Sequence, residues 1–393
     1  MGIEDVSMLF TFIGGLGMFL YGMHIMAEGL QHFAGGRMQK LMGFLTQNRI
    51  MAILVGTLVT AVIQSSSATT VMVVGFVNAG MLNLSQAVGV IMGANIGTTV
   101  TAWIVSMSEW GSLLKPEFFA PLLVGIGAFV VLFAKSDKKK RVGEILIGFA
   151  ILFIGLTFMS DAILPYRESP VFSGAFTVLG KNPILAVLAG AVVTAIIQSS
   201  SASVGILQTL AMNGIVGWNS AIFITLGQNI GTCVTALLSS AGSGRNGKRA
   251  SVIHLSFNVF GAVIFGILMY ILFAIFPDWG NSAISSVEIS IFHTVFNVSN
   301  TVLLFPFADK LVELSGKLVR GEDETVPADG EREAVQKLSR RLDRRLLNNP
   351  SFALAAVQRE VAAMGRAACA NLESALEAVR DGSAERVQAI YEK

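Results

Sequence analysis

The sequence predicts an all-α polytopic membrane protein: two inverted-topology repeats with re-entrant hairpins and broken helices, followed by a small soluble helical tail. Three observations predict it. Of 393 residues, 53% are hydrophobic and only 14% charged, against about 25% charged in an ordinary soluble domain, so too few charges remain to cover a soluble surface. Apolar stretches long enough to span, roughly 20 residues each, lie near 7–30, 118–134, 142–164, 250–276 and 287–307. Between them, 50–108 and 182–244 are apolar yet broken by Gly, Asn, Ser and Gln, and neither contains an Asp, Glu, Lys, Arg or His.

The first apolar run follows MGIED, lacks a basic leader and continues past Tyr21. That pattern predicts a first transmembrane helix rather than a cleaved signal peptide. Its segment FLYGMHIMAE (19–28) returns as LFIGLTFMSD (152–161), pairing Gly22 with Gly155 and Glu28 with Asp161. TAVIQSSSATT (60–70) returns as TAIIQSSSAS (194–203), and NIGTTVTA (95–102) as NIGTCVTA (229–236). Both motifs keep one offset of 134 residues, from Gln64 to Gln198 and from Asn95 to Asn229. The chain is therefore expected to hold repeat 1 near 5–134, repeat 2 near 140–244 and an extra helix pair at 250–307. That pair carries its own echo, HLSFNV (254–259) and HTVFNV (293–298).

Charge orients the copies. Basic residues gather at Arg37, Lys40 and Arg49, in KSDKKKR (135–141), in GRNGKR (244–249), and at Lys310, Lys317 and Arg320; the positive-inside rule assigns these to the cytoplasm. The opposing connections hold Glu109 and Glu117, then Asp161, Arg167, Glu168 and Lys181, then Asp278. Helix 7–30 and its counterpart 142–164 then cross in opposite directions. Inverted repeats of this kind belong to transporters, with the site at the repeat interface near the midplane.

Residues 51–63 form about 13 residues of helix, ~20 Å, which reaches only part-way through a ~30 Å hydrocarbon core. A re-entrant hairpin tipped by QSSS is expected, followed by one crossing helix interrupted at GANIGTT. Gly93, Gly97, Gly227 and Gly231 are expected to permit the interruption, and Asn95 and Asn229 to cap the half-helices that follow. Free N–H groups at helix N-termini beside hydroxyls suit an anion. With no Lys or Arg in these segments, a co-bound cation would offset the cost of burying it, and amide, hydroxyl and backbone oxygens suit Na⁺.

With QSSS twice in inverted repeats, each followed by NIGT, the chain resembles the type II sodium/phosphate cotransporter family over roughly residues 5–310. The resemblance implies a sodium-coupled symporter of inorganic phosphate, with sodium as coupling ion and no other cofactor. Together with the residue types it places Ser65, Ser66, Ser67, Asn95, Ser199, Ser200, Ser201 and Asn229 at phosphate. It places Gln64, Thr98, Gln198, Ser199, Thr232 and Thr235 at sodium. The alternative is a passive or exporter-type phosphate or anion permease without strict sodium coupling. LDRRLLNNPSFALAAVQREVAAMG (342–365) is similar to the start of the PhoU-like helical domain appended to many bacterial members. Val357, Val361, Met364, Ala368, Leu372 and Leu376 there recur on one helix face. The expected layout is a transmembrane domain at 1–316, a linker at 317–333 and an incomplete PhoU-like cytoplasmic segment at 334–393. The resemblance places the chain in the bacterial inner membrane, with phosphate, sodium and the lipid bilayer as partners and a homodimer left open.

Blander readings accompany these. Serines and glycines pack helices closely in membranes, although duplication with Gln included favours binding. His254/Asn258 and His293/Asn297 each lie four apart, on one helix face; interhelical hydrogen bonding is a plainer account than a proton relay. Glu28 and Asp161 read as an interface pair, and KSDKKKR as a loop on anionic lipid. Cys233 and Cys369 imply no disulfide framework. A net charge of +2 points to no nucleic acid. An intramembrane serine hydrolase needs a base near its nucleophile; the uncharged segments lack one and no G-x-S-x-G occurs, so no enzyme is expected.

Overall fold

The computed structural model describes residues 3–34, 48–78, 82–111, 115–167, 169–320 and 350–381. Repeat 1 comprises α1 (Ile3–Ala34), α2 (Arg49–Ile63), α3 (Ser66–Asn78), α4 (Leu84–Ser106) and α5 (Pro116–Phe133). Repeat 2 comprises α6 (Asp137–Ile163), α7 (Pro170–Lys181), α8 (Pro183–Ile197), α9 (Ser200–Met212) and α10 (Trp218–Ser240). Then come α11 (Arg245–Ile275), the short α12 (Pro277–Asn281), α13 (Ser286–Leu304), α14 (Ala308–Leu318) and, by itself, α15 (Pro350–Asp381). Among the described residues seven helices are long and apolar enough to cross a membrane: α1, α4, α5, α6, α10, α11, and α13 continued into α14. The bent pair Gly174–Lys181 and Pro183–Ile197, at 115°, makes an eighth if counted as one span. The protein is an all-α polytopic membrane protein.

Glycines fix how the repeats lie. Along α1 and α6 they let two backbones touch: a Cβ on Gly15 would sit 2.8 Å from Gly155 O, one on Gly22 would meet Gly148 O at 2.6 Å, and one on Gly29 would reach Arg141 O at 3.2 Å. Rising numbers on α1 meet falling numbers on α6, so the opening helices of the two repeats run antiparallel. This close approach, permitted by the missing side chain, joins a core of Phe19, Met26, Leu152, Phe153 and Met159.

The first arm of each hairpin, α2 or α8, instead lies parallel to the crossing helix beyond the hairpin, α4 or α10. On α4, Gly89 faces Arg49 and Ala52, Gly93 faces Ile53 and Thr57, and Gly97 faces Thr57 and Thr60. On α10, Gly227 faces Val187 and Ala191, and Gly231 faces Ala191 and Thr194. Because α2 and α4 start at one level and run the same way, α3 must carry the chain back between them. The re-entrant shape follows from that.

One expectation fails here. GANIGTT and its copy do not interrupt the crossing helices, since α4 and α10 run unbroken through Asn95 and Asn229. Those asparagines sit mid-helix and cap nothing. Gly93, Gly97, Gly227 and Gly231 serve close backbone approach by the hairpin arms, not a break.

The basic segments at Arg49, 244–249 and 310–320 converge at one end. Arg49 donates to Ser85 Oγ and pairs with Asp309, Gly244 N donates to Asn78 Oδ1 at 2.8 Å, and Arg249 reaches Val319 O. At the opposite end Tyr166 donates to Asp5 at 2.8 Å, and Glu109 accepts from Ser286 N at 2.7 Å. Glu28 lies exposed between His24 and His32 of its own helix. Arg37, Lys40, Glu168 and the charged linker at 321–333 lie outside the described residues. The chain divides into two compact units, Met1–Thr325 and Val326–Lys393; in the second, Val361, Met364, Leu372 and Leu376 are exposed along α15.

Candidate functional site

Both hairpins break at the same residue. Gln64 (φ 56°, ψ 25°) and Gln198 (φ 55°, ψ 23°) are the non-glycine residues with left-handed backbone among those described. Their N–H groups still close the last turn on Thr60 O and Thr194 O. The following serine caps the next helix: Ser65 Oγ accepts from Ala68 N at 3.1 Å and Ser199 Oγ from Ala202 N at 3.2 Å. Thus α2 ends and α3 begins within two residues, and α8 and α9 do the same. Each tip sets the carbonyl end of one helix, worth about −0.5 charge, beside the amide end of another, worth about +0.5. The first-turn amides of Ser66, Ser67, Ser200 and Ser201 have no acceptor within their helices. Hydroxyl pairs pin the arms at matched places, Thr60 to Thr69 at 2.9 Å and Thr194 to Ser203 at 2.8 Å.

The two tips meet. Ser201 Oγ lies 3.4 Å from Gln64 O and 3.4 Å from Thr101 Oγ1, and Thr101 donates to Gln64 Oε1 at 3.0 Å. Gln64, Ser66, Ser67, Ser200 and Ser201 are buried, and Ser66 Oγ has no partner. The structure thus brings Gln64, Thr101 and Ser201 into one constellation across the repeat interface. A hydroxyl that accepts from a capping amide keeps its proton to donate, so Ser65 and Ser199 remain available to an anion.

The remaining candidates divide. Thr98 donates to Ala94 O at 3.2 Å and Thr232 to Gln228 O at 2.9 Å, bonds within their own helices that leave oxygen lone pairs free. Thr235 Oγ1 and Asn95 Nδ2 are buried without partners. Asn229 is engaged, donating to Asn297 Oδ1 at 2.9 Å and meeting His293 Nε2 at 3.1 Å. Gln198 is exposed, whereas Gln64 is 5% exposed.

Sequence reasoning missed Thr101, although the offset that equates it with Thr235 was in hand. It also missed Gln208, whose Nε2 binds Ala102 O and Ser290 Oγ at 3.0 and 2.9 Å, and Gln228, which donates to Ser203 O at 2.9 Å. Lone glutamines in apolar helices carried no spacing signal.

The Na+/Pi-cotransporter family model matches residues 18–161 and 169–294. The chain is 26% identical over 360 residues to an Escherichia coli protein printed as "Putative inorganic phosphate export protein YjbB", covering 91% of this chain and 63% of that protein. It therefore spans less than two thirds of that relative's length. It is 29% identical over 311 residues to "Uncharacterized protein YqeW" of Bacillus subtilis, covering 79% of this chain and 98% of the relative. It is 32% identical over 118 residues to human "Sodium-dependent phosphate transport protein 2B", covering 29% of this chain and 17% of that one. No solved structure matches the chain.

Proposed function

Since the chain belongs to the Na+/Pi-cotransporter family, whose members are transporters and not enzymes, we propose that it is a secondary transporter coupling sodium to inorganic phosphate. In this reading residues 1–316 carry the transport, and the basic ends and C-terminal segment face the cytoplasm of a bacterial inner membrane. Phosphate binds the serine-rich amide ends, through Ser65, Ser66, Ser67, Ser199, Ser200 and Ser201, with Asn95 and Asn229 beside them. Sodium takes the carbonyl ends with Gln64, Gln198, Thr98, Ser199, Thr232 and Thr235.

One observation carries the reading: opposite helix ends lie side by side at each tip, and the tips touch through Ser201 and Gln64 O. The two interrupted segments supply no formal charge. A buried phosphate alone would face only dipoles, and a buried sodium alone likewise. Bound together, each ion supplies the counter-charge the protein lacks, which lowers the desolvation cost of both.

The name of the Escherichia coli relative favours a second reading, net export. The same site serves it, because direction follows the combined gradients. The test uses purified protein in liposomes with an imposed sodium gradient and radiolabelled phosphate. Uptake is expected with sodium and lost with choline. Gln64→Ala and Gln198→Ala are each expected to abolish most of it while the protein still inserts. Flux unchanged by choline would establish an uncoupled permease, and normal flux in both variants would refute the site.

A further inference from the structure

Two His-x-x-x-Asn pairs outside the QSSS and NIGT motifs are buried: His254, Asn258 and Asn297 at 0% and His293 at 1% exposure. The second pair, on α13, is engaged with Asn229 of repeat 2. Asn229 Nδ2 donates to Asn297 Oδ1, and Asn229 Oδ1 meets His293 Nε2. Asn297 is itself held, donating to His293 O at 2.8 Å, so its oxygen is left to face Asn229.

Around Asn95 of repeat 1 and the first pair, on α11, the corresponding atoms are unspent. Asn258 Nδ2 donates to His254 O at 3.0 Å, the same internal brace, and also to Cys233 Sγ at 3.4 Å. Yet Asn95 Nδ2, Asn258 Oδ1 and both ring nitrogens of His254 have no partner. They are complementary in kind: a donor on Asn95, an acceptor on Asn258, and a ring that offers either. The helices that carry them touch, α4 against α11 and α10 against α13. Because α11 lies mainly along α10 and α13 mainly along α4, each pair stands between the two NIGT helices.

The hairpin tips carry the reverse asymmetry. Gln64 is buried and clasped by Thr101, while Gln198 is exposed and Thr235 Oγ1 is unpartnered. Each repeat therefore holds either its glutamine or its asparagine, and the two repeats hold opposite ones.

We propose that His254/Asn258 and His293/Asn297 are positioning residues that grip the NIGT asparagines in alternation. In the conformation described, His293 and Asn297 hold Asn229 while Asn95 is released. In the opposite-facing conformation His254 and Asn258 hold Asn95 while Asn229 is released. The inference rests on the transport reading and deepens it. Exchange of like for like keeps the two conformations close in free energy, which a carrier that must visit both requires. The packed helices supply the two discrete arrangements between which a bistable element switches.

The test is a pair of double-mutant cycles on the full chain in liposomes, Asn229→Ala with His293→Ala and Asn95→Ala with His254→Ala, read as sodium-driven phosphate uptake. Each single variant is expected to slow uptake roughly three- to tenfold, the scale of one buried neutral hydrogen bond. Each double variant is expected to be no slower than its slower parent. His254→Gln and His293→Gln, which restore a donor and an acceptor, are expected to recover most of the rate at an unchanged half-saturating phosphate concentration. Losses of Asn95→Ala and His254→Ala that multiply would overturn the proposal, since a merely structural histidine gives independent effects. A second measurement needs no transport: Asn95→Cys with His254→Cys, in a Cys233→Ser, Cys369→Ser background, is treated with a short bifunctional methanethiosulfonate. Cross-linking is expected, and its absence would overturn the pairing whatever solute the protein carries. A wild type that moves no phosphate, with the cross-link present, would sink the transport reading while leaving the pairing of Asn95 with His254 standing.

Discussion

Gly97→Ala probes the contact that sets the height of the first hairpin tip. Its Cβ would lie 2.6 Å from Thr57 O and 2.7 Å from Thr60 Cβ. To restore an ordinary 3.4 Å contact, α2 must recede from α4 by about 0.8 Å. The obstruction is a backbone carbonyl and a β-branched carbon, neither of which can swing aside. Gln64 follows Thr60 by one turn and reaches back to Thr101 on α4 at 3.0 Å, so that retreat is passed directly to the site. Overpacking costs about 1–3 kcal/mol, against roughly 0.8–1.0 kcal/mol gained by replacing glycine in a helix; stability should fall by about 0–2 kcal/mol. Function should suffer more, because misplacement near 1 Å in a preorganised site costs on the order of a hundredfold. Initial-rate phosphate uptake in liposomes is therefore expected to drop by one to two orders of magnitude with only a modest fall in unfolding midpoint. Gly14→Ala and Gly17→Ala, where nothing lies within 4 Å, are the controls and should keep full uptake. Wild-type uptake in Gly97→Ala, or equal losses in the controls, would refute the reasoning.

Thr101→Val keeps the side chain's volume and removes the donor to Gln64 Oε1. A hydrogen bond between membrane helices is worth about 0.6–2 kcal/mol, so uptake should fall roughly three- to thirtyfold and Thr101→Ser should restore it; equal rates in Thr101→Val and wild type would show that the clasp is idle. Ending the chain after Arg320 removes most of the linker and α15 but leaves every candidate ligand. Sodium-dependent uptake by this shortened protein is expected to persist, and its loss with the protein still inserted would give the C-terminal segment a part in transport.

Much of this architecture could be read from the chain because repetition doubles every signal. A single QSSS is compatible with small-residue packing, whereas two at one offset located both hairpin tips and both glutamines. The NIGT segments misled for a physical reason. Glycine permits a broken backbone and also permits close approach of an intact one, and Gly93/Gly97 fit both. What decides is the neighbour, Ile53 to Thr60 of a helix some 40 residues earlier, and sequence order alone does not say that α2 returns alongside α4. His293 met the plainer expectation of an interhelical hydrogen bond. His254, in a nearly identical hexapeptide, did not, because matched sequences here occupy unmatched surroundings. No reading of one copy against the other could reveal which repeat holds its asparagine.

The choice of glutamine at each tip is itself an argument for a working side chain. Left-handed backbone costs an L-residue roughly 1–2 kcal/mol, and glycine or asparagine adopts it more cheaply. A turn needed only to reverse the chain would be built from one of those. Instead both turns accept the strain of a longer amide. At Gln64 the amide nitrogen binds Ala61 O within its own helix while Oε1 extends to Thr101 across the gap. Asparagine is one methylene shorter, and glycine offers no oxygen at all. Strain retained twice, at equivalent positions where helix ends of opposite sign adjoin, supports the proposed role of these side chains at the ions.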